Sequence, residues 1–379
     1  MKRPLHVVIV GTGFLAQTRA RCWRRVYGHG IELTVASRDR GRAEAFAREH
    51  GLAGAHSIEA ALAQPSIALV DLCVANRAHR ELTERAAAAG KHVLCTKPLA
   101  AFWGQGLGAE PGAQAVATTA RTTMLARAVE DAEAMLAACA RAGVQLFYGE
   151  NWVFAPAIRR AAELGAASGG TIRELRGWES HSGSHSAYAR DWRHTGGGAL
   201  LRLGAHPVGA MLWLKRREGL RQRGVAVRAL SVMAELAGSA NELESAGTCA
   251  IRFEDGSLGL AHGSDHMLGG MQSHLTVLAS DHRFECSLSP IDTLRAYAPR
   301  DGTFGAEPIM EKISGQAGWT TPIPDEDWSS GQQGMLQAVA DTLASGAAPE
   351  ADGALGLETV RVLYAAYESA AEGRRVLLR

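Results

Sequence analysis

No run in this sequence approaches the roughly 18 uninterrupted apolar residues that a membrane span requires, and the opening stretch MKRPLHVVIV lacks the apolar core and cleavage site of a signal peptide. A cytoplasmic protein with no membrane partner is expected. Net charge is almost absent, 40 basic against 39 acidic side chains in 379 residues. That removes the electrostatic footprint needed for nucleic acid or anionic lipid. The six cysteines, Cys22, Cys73, Cys95, Cys139, Cys249 and Cys286, show no CxxC spacing. At least three lie in apolar stretches where a reduced thiol packs as a small hydrophobe, so neither disulfides nor structural zinc is expected. Internal repeats and low-complexity tails are also missing. What is present, 46% hydrophobic and 21% charged residues, describes a globular chain long enough for two domains of about 150 to 200 residues each.

Residues 1–150 alternate apolar runs with helical patterns: LHVVIV, ELTVAS, IALVDLCVA, HVLCT and VQLFYG. Strand, helix, parallel strand is the grammar of a doubly wound sheet, with ligand loops at the strands' carboxyl ends. The segment RGRAEAFAREHG reads as a helix closed by Gly51. Regularity pauses at AFWGQGLGAEPGAQAVATTARTTM, an insertion over about 101–124. Its two readings are a disordered surface excursion, or a lid or subunit contact anchored by Phe102 and Trp103. Residues 151–379 turn to longer β-type runs, from TIRELRGWESHS to HRFECSLSP, enough for an open, largely antiparallel sheet. Two helical patterns follow, near 329–344 and 355–372. In the second, Leu357, Val360, Tyr364 and Tyr367 form one packing stripe, and this last helix is expected to fold back toward the first domain.

The stretch GTGFLA links the first strand to a helix. A Gly-x-Gly can be a plain turn, but after a buried strand Gly11 and Gly13 admit backbone to a pyrophosphate, with Phe14 and Leu15 opening the helix and Ala16 allowing close packing. At the end of the second strand stand Ser37 and Arg38, where an acidic residue would hold a ribose hydroxyl. A guanidinium matches a 2′-phosphate, favouring NADP over NAD, unless Arg38 pairs with a surface neighbour such as Asp39.

Lys97, in KHVLCTKPLA, lies just past a strand. A lysine is ordinarily a solvated charge, but at this edge it can approach a nicotinamide with its pKa lowered by burial and by the pyridinium charge. In HTGGGALLRLGAHPVGAMLWL, three glycines bend the chain into a helix on which Arg202 and His206, four apart, share a face. His206 is either a structural hydrogen-bonder or part of a pocket. Around the expected cleft, Asn151, Glu179, His181, His185, Tyr188, Arg190 and Trp192 supply the mixed polar and flat apolar surface that a sugar needs. On an extended strand His181 and His185 would lie roughly 13 Å apart, too far for one ion without a sharp turn at Gly183. No metal is assigned.

Together GTGFLA, VANRAHRELTERAAAAGKHVLCTKPL, GGGALLRLGAHPVGAMLWL and GLETVRVLYAAYESAAEGRRVLL resemble the glucose-fructose oxidoreductase, inositol dehydrogenase and rhizopine-catabolism family, Gfo/Idh/MocA. The resemblance implies an N-terminal α/β Rossmann domain and a C-terminal α+β domain whose open sheet forms subunit interfaces, giving a homodimer or homotetramer. It brings Asn76, His79, Thr96, Lys97 and Asn151 to the cofactor. The family's Glu-Lys-Pro corresponds to Thr96-Lys97-Pro98, so the lysine is kept and the carboxylate is not. Its Gly-Gly-Gly-x-Leu-x-Asp-x-Gly-x-His corresponds to residues 196–206, with His206 kept and Arg202 replacing the aspartate. Arginine cannot act as a base near neutral pH. Arg202 either clamps an anionic group or carbonyl oxygen of the substrate or faces away.

The expected activity is NAD(P)-dependent hydride transfer at a secondary alcohol or ketone of a sugar, cyclitol or sugar derivative, with Lys97 and His206 catalytic. Lys97, Glu179, His181, His185, Tyr188, Arg190, Trp192, Arg202 and His206 are expected to bind substrate. Two rivals stand beside it: a redox-neutral glycosidase that oxidises, eliminates and re-reduces, and a non-catalytic nucleotide-sensing regulator.

Overall fold

The computed structural model describes residues 4–184, 187–238 and 242–378. Six parallel strands, β1 Leu5–Val10, β2 Ile31–Ala36, β3 Gly54–His56, β4 Leu69–Leu72, β5 His92–Thr96 and β6 Leu146–Gly149, form the first sheet in the order β3-β2-β1-β4-β5-β6. This order reverses direction between β1 and β4, the crevice where nucleotides bind such sheets. The short β3 was not legible, because three half-buried residues make no apolar run. The helices of this part are α1 Phe14–Arg24, α2 Arg40–Glu49, α3 Ile58–Ala63, α4 His79–Ala88, α5 Ala113–Ala117 and α6 Arg121–Ala142. Local chemistry starts two of them: Asp39 accepts from Arg42 N at 3.1 Å, and Ser57 accepts from Ala60 N at 3.1 Å.

The insertion is a packed wall. Phe102 is fully buried and donates its backbone N–H to Tyr364 Oη at 2.6 Å, Pro111 and Val116 are buried with it, and Gln105 Nε2 donates to Asp131 at 2.7 Å. Trp103 stays half-buried, with the Arg77 guanidinium 6.0 Å from its ring centre.

Past α7 Pro156–Ser168, a second sheet runs in the order β12-β11-β7-β10-β9-β8-β15, from β7 Ile172–Ser180, β8 Ala229–Leu236, β9 Ala246–Phe253, β10 Leu258–Ser264, β11 Gln272–Ala279, β12 Arg283–Ser287 and β15 Val376–Leu377. Its pairings are antiparallel except β7 with β10. Strands β13 Ala296–Ala298 and β14 Gly318–Thr320 make a separate hairpin. The helices are α8 Trp192–Thr195, α9 Ala199–Arg202, α10 Ala205–Arg223, α11 Glu326–Ser329, α12 Gln332–Ser345 and α13 Gly353–Glu372.

Helix α13 joins the two halves. It packs on α6 and β8, and just before it Ala351 accepts from Tyr148 N of β6 at 2.8 Å. Its buried Tyr364 and Tyr367 hydroxyls reach the three-glycine bend, where Gly198 N donates to Tyr367 Oη at 3.0 Å and to Glu244 at 2.9 Å. A Cβ on Gly198 would lie 2.1 Å from the Glu244 carbonyl oxygen, so the close approach requires glycine.

Candidate active site

A cleft of about 900 Å³ opens at the carboxyl ends of β1, β2 and β4. Gly11 turns at φ +121°, and a Cβ there would lie 2.3 Å from the Cys73 carbonyl oxygen. Gly13 precedes α1 with nothing within 4 Å of its missing Cβ, and the first turn of α1 holds no acidic residue. Backbone amides and the positive end of α1 therefore face open space, a seat for a diphosphate. Phe14 is exposed and Leu15 half-buried beside it.

At the end of β2, Ser37 and Arg38 line the same cleft, as does Arg42, which the sequence reading missed. Asp39 caps α2 and Arg40 pairs with Glu44 at 2.9 Å, so the neighbours do not neutralise Arg38. Neither Arg38 nor Arg42 forms an ion pair with a described residue. Across the cleft, Arg77, Trp103 and His194 close the wall.

Two of the expected cofactor residues are braces. His79 is fully buried, its ring nitrogens 3.1 Å from the Leu99 and 3.2 Å from the Val74 carbonyl oxygens, so it fixes the loops after β4 and β5 and presents nothing to the cleft. Asn151 donates to the Ser330 carbonyl at 2.7 Å and is buried. Asn76 donates to the Thr195 carbonyl at 2.8 Å, joining β4's exit to α8, and Thr96 is buried at the end of β5.

Lys97 follows β5 through a cis peptide to Pro98, and its Nζ donates to the Arg202 carbonyl oxygen. Burial pushes the ammonium below its ordinary range and the Arg202 charge adds to this, against Glu179, Glu150 and Glu311. His206 is buried on α10, stacked on Trp152 at 5.8 Å and 12°, with Nδ1 2.6 Å from Glu150 Oε1. Burial, with Lys97 helping, holds the imidazole down to about 3, while burial raises the fully enclosed Glu150 carboxyl to about 8 against the pull of Lys97. Near neutral pH both are uncharged, so the Glu150 carboxyl donates to Nδ1 and leaves the ring proton on Nε2.

Arg202 and His206 do not share a helix. The chain breaks between α9 and α10 at Leu203 and Gly204, where a Cβ on Gly204 would meet the Leu200 carbonyl oxygen at 2.5 Å. The Arg202 guanidinium bonds instead to Asp265, just beyond β10, whose Oδ1 lies 4.0 Å from His181 Nδ1. Gly183, at φ +94°, turns the chain after His181 and donates to its Nδ1 at 3.0 Å.

Glu179 is buried at the end of β7, its Oε2 without a hydrogen-bond partner among the described residues, and burial raises its carboxyl. A fourth carboxyl, Glu311, arrives from the segment between β13 and β14, close to Lys312 at 3.2 Å and to Glu326, whose carboxyl burial and Glu311 raise to about 7. Trp192, expected at the substrate, is buried in the core of α8 against Tyr367 and under Arg121. Tyr188 and Arg190 lie on the single turn Ala187–Arg190, and His185 falls outside the described residues. Among the described residues no cluster of three His, Cys, Asp or Glu could hold a metal ion, and no helix is long and apolar enough to cross a membrane.

Sequence reasoning missed Glu150 and Asp265. Both sit at carboxyl ends of strands, β6 and β10, and that placement was the available signal.

Residues 5–121 match the model described as GFO/IDH/MocA, oxidoreductase family, NAD-binding Rossmann fold, and residues 158–285 match the GFO/IDH/MocA C-terminal domain. D-apiose dehydrogenase of Paraburkholderia graminis is 30% identical over 40% of this chain and 33% of its own length. The 1,5-anhydro-D-fructose reductase of Ensifer adhaerens is 30% identical over 50% of this chain and 52% of its own length. The match thus spans a third to about half of these curated relatives. Among solved structures, GenD2 from gentamicin A biosynthesis, in complex with NAD, superposes with a TM-score of 0.82 at 26% identity, covering 100% of this chain and 97% of that one. Levoglucosan dehydrogenase, in complex with NADH and levoglucosan, shares the fold at a TM-score of 0.73 and 18% identity over 99% of this chain and 100% of that one.

Proposed function

Because the chain belongs to the Gfo/Idh/MocA oxidoreductase family, we propose that it transfers hydride between a nicotinamide dinucleotide and a secondary alcohol or ketone of a sugar, cyclitol or sugar derivative. The observation that carries this reading is Lys97. Its amine sits at the edge of a nucleotide-type sheet and is held by the Arg202 carbonyl among buried carboxyls. Residues 1–150 would bind the cofactor, and residues 151–379 the substrate.

The bound cofactor supplies the hydride acceptor. In oxidation, the deprotonated Nζ of Lys97 takes the hydroxyl proton, and its lowered pKa favours the free amine that this needs. The Arg202 carbonyl fixes the amine's position. His206, with its proton on Nε2, is an uncharged donor for the oxygen that becomes a carbonyl. In reduction Lys97 returns the proton.

NADP is the favoured cofactor, supported by Arg38 and Arg42, two guanidiniums beside Ser37 with no carboxylate partner among the described residues. Assembly through the second sheet is supported by Leu230, Met233, Leu258 and Leu260, all exposed on β8 and β10.

The test is to denature freshly purified protein, identify released nucleotide by mass, and titrate washed protein with NAD and NADP. Binding of one dinucleotide per chain, with turnover lost in Lys97→Met, is the expected result. A chain that binds neither nucleotide, or a Lys97→Met variant with full turnover, overturns the reading.

A further inference from the structure

The family motif places an aspartate where this chain has Arg202, and Asp265 neutralises that arginine. The centre still needs a negative charge. Oxidation breaks the substrate O–H and carbinol C–H bonds; the proton joins the lone pair of Lys97 Nζ, the hydride leaves with its electron pair to the bound nicotinamide, and the C=O bond forms. A positive charge is then left on a half-buried amine.

The second sheet brings a carboxyl to this point. On β7, Gly177 faces α10, since a Cβ there would lie 2.7 Å from Pro207 Cβ and 3.1 Å from Met211 Cε. Glu179, two residues on, points to the same side. Its partner across the sheet is Gly263 of β10, where a Cβ would lie 2.6 Å from the Ala199 carbonyl oxygen and 2.8 Å from Gly204 N. Opposed residues project together, so Glu179 lies against the α9–α10 junction, the same junction whose Arg202 carbonyl holds Lys97 Nζ. Glu179 is 5% exposed, and its Oε2 has no hydrogen-bond partner among the described residues.

We infer that Glu179 supplies from β7 the carboxylate that α9 lacks, acting as a positioning residue that stabilises the ammonium Lys97 becomes when it takes the hydroxyl proton. The inference rests on the proposed dehydrogenase reading. The other charged groups facing Lys97 are Glu150 after β6, Arg202 on α9 and Glu311 between β13 and β14, and His206 on α10 faces Glu179. Glu150 is tied to His206 and Trp152, and Glu311 lies close to Lys312. Glu150 Oε2 is likewise unbonded among the described residues, but it lies toward Gly209 within α10, 3.3 Å from where a Cβ there would stand, so Glu179 is the carboxyl placed at the junction itself.

The chain has only five lysines, Lys2, Lys91, Lys97, Lys215 and Lys312, so ¹³C-dimethylation and NMR can follow the titration of Lys97 directly, with Lys97→Met assigning its resonance. In Glu179→Gln the Lys97 midpoint is expected to fall by about one pH unit or more, since a neighbouring carboxylate favours the ammonium. The oxidation rate should fall roughly 10- to 100-fold in kcat, measured on whichever of D-xylose, D-glucose, 1,5-anhydro-D-glucitol and myo-inositol the wild type turns over fastest. Dinucleotide affinity should stay unchanged. Glu179→Ser should lower the midpoint in the same way, and Glu179→Asp, which keeps the charge, should hold it near wild type; this trio covers failure of any one variant to fold. A wild-type midpoint and kcat in both uncharged variants would overturn the inference while leaving the dehydrogenase reading intact. Wild-type protein that binds no dinucleotide and oxidises none of the four overturns both.

Discussion

The proposed cofactor cleft and the proposed catalytic centre are built from different material. The cleft is made of backbone: a left-handed glycine against the Cys73 carbonyl, an open glycine at the start of α1, and the amides behind it. The centre is made of side chains, and its charges have been rearranged. The position of the motif aspartate carries Arg202, neutralised by Asp265, while Glu150 holds His206 and Glu179 lies at the α9–α10 junction. A backbone seat admits few sequences and so keeps its motif. A side-chain cluster needs only a net balance of charge and hydrogen bonds, so any strand ending at the crevice can supply a member.

The largest effect separating these two kinds of site should come from the backbone. Alanine at Gly11 must adopt φ +121° and place its Cβ 2.3 Å from the Cys73 carbonyl oxygen. Strain of about 1–3 kcal/mol, a factor of roughly 5 to 150, is the ordinary scale of such a conformation. Fluorescence titration of Gly11→Ala should show dinucleotide affinity reduced by that order and a lowered Tm. Unchanged affinity would mean the turn is structural only and the diphosphate sits elsewhere.

At the adenosine end of the cleft the determinants become side chains again, and the expected effect shrinks. Arg38 and Arg42 each offer a charge-assisted bond to a 2′-phosphate from a partly solvated position, so Arg38→Ala or Arg42→Ala should weaken NADP roughly 10-fold and leave NAD unaltered. Calorimetric titration with both nucleotides checks this. Equal losses for NAD and NADP, or a wild type that prefers NAD, would remove the phosphate assignment.

The same division explains what was legible in the sequence. The first sheet, GTGFLA, Lys97 and the three-glycine bend follow local rules of strand, turn and helix, and each can be read where it stands. Arg202 could not be placed from spacing alone. Four residues separate it from His206, yet the chain breaks at Gly204 and sends the two side chains to different partners, Asp265 and Glu150. His79, Asn151 and Trp192 have the chemistry of ligand contacts, but burial and bonds to distant backbone or rings make them braces. Asp265 and Glu150 stand just past strand ends, 63 and 56 residues from Arg202 and His206, and which strand end meets which helix is a property of how the two sheets are ordered and packed, which no local pattern encodes.

The smallest effect on rate, and the clearest on pH, belongs to the Glu150–His206 pair. Glutamine at 150 can donate to Nδ1 as the protonated carboxyl does, so Glu150→Gln should keep kcat at pH 7 within a few-fold while fixing one ring tautomer at every pH. Stability should respond more. The Glu150 carboxyl, near 4.3 in an unfolded chain, is raised to about 8 when folded. The stabilisation is complete below the unfolded value and is lost as pH rises through about 8, because the unfolded chain ionises first. His206 is shifted the opposite way, down to about 3, so its contribution falls away only as pH drops below about 6.5. Between pH 6.5 and 8 the difference between wild type and variant isolates Glu150. Thermal melts across that window should show the wild type losing more Tm than Glu150→Gln. Parallel losses would mean that Glu150 is already ionised at pH 6.5, with its charge balanced by Lys97, and that His206 carries its proton on Nδ1.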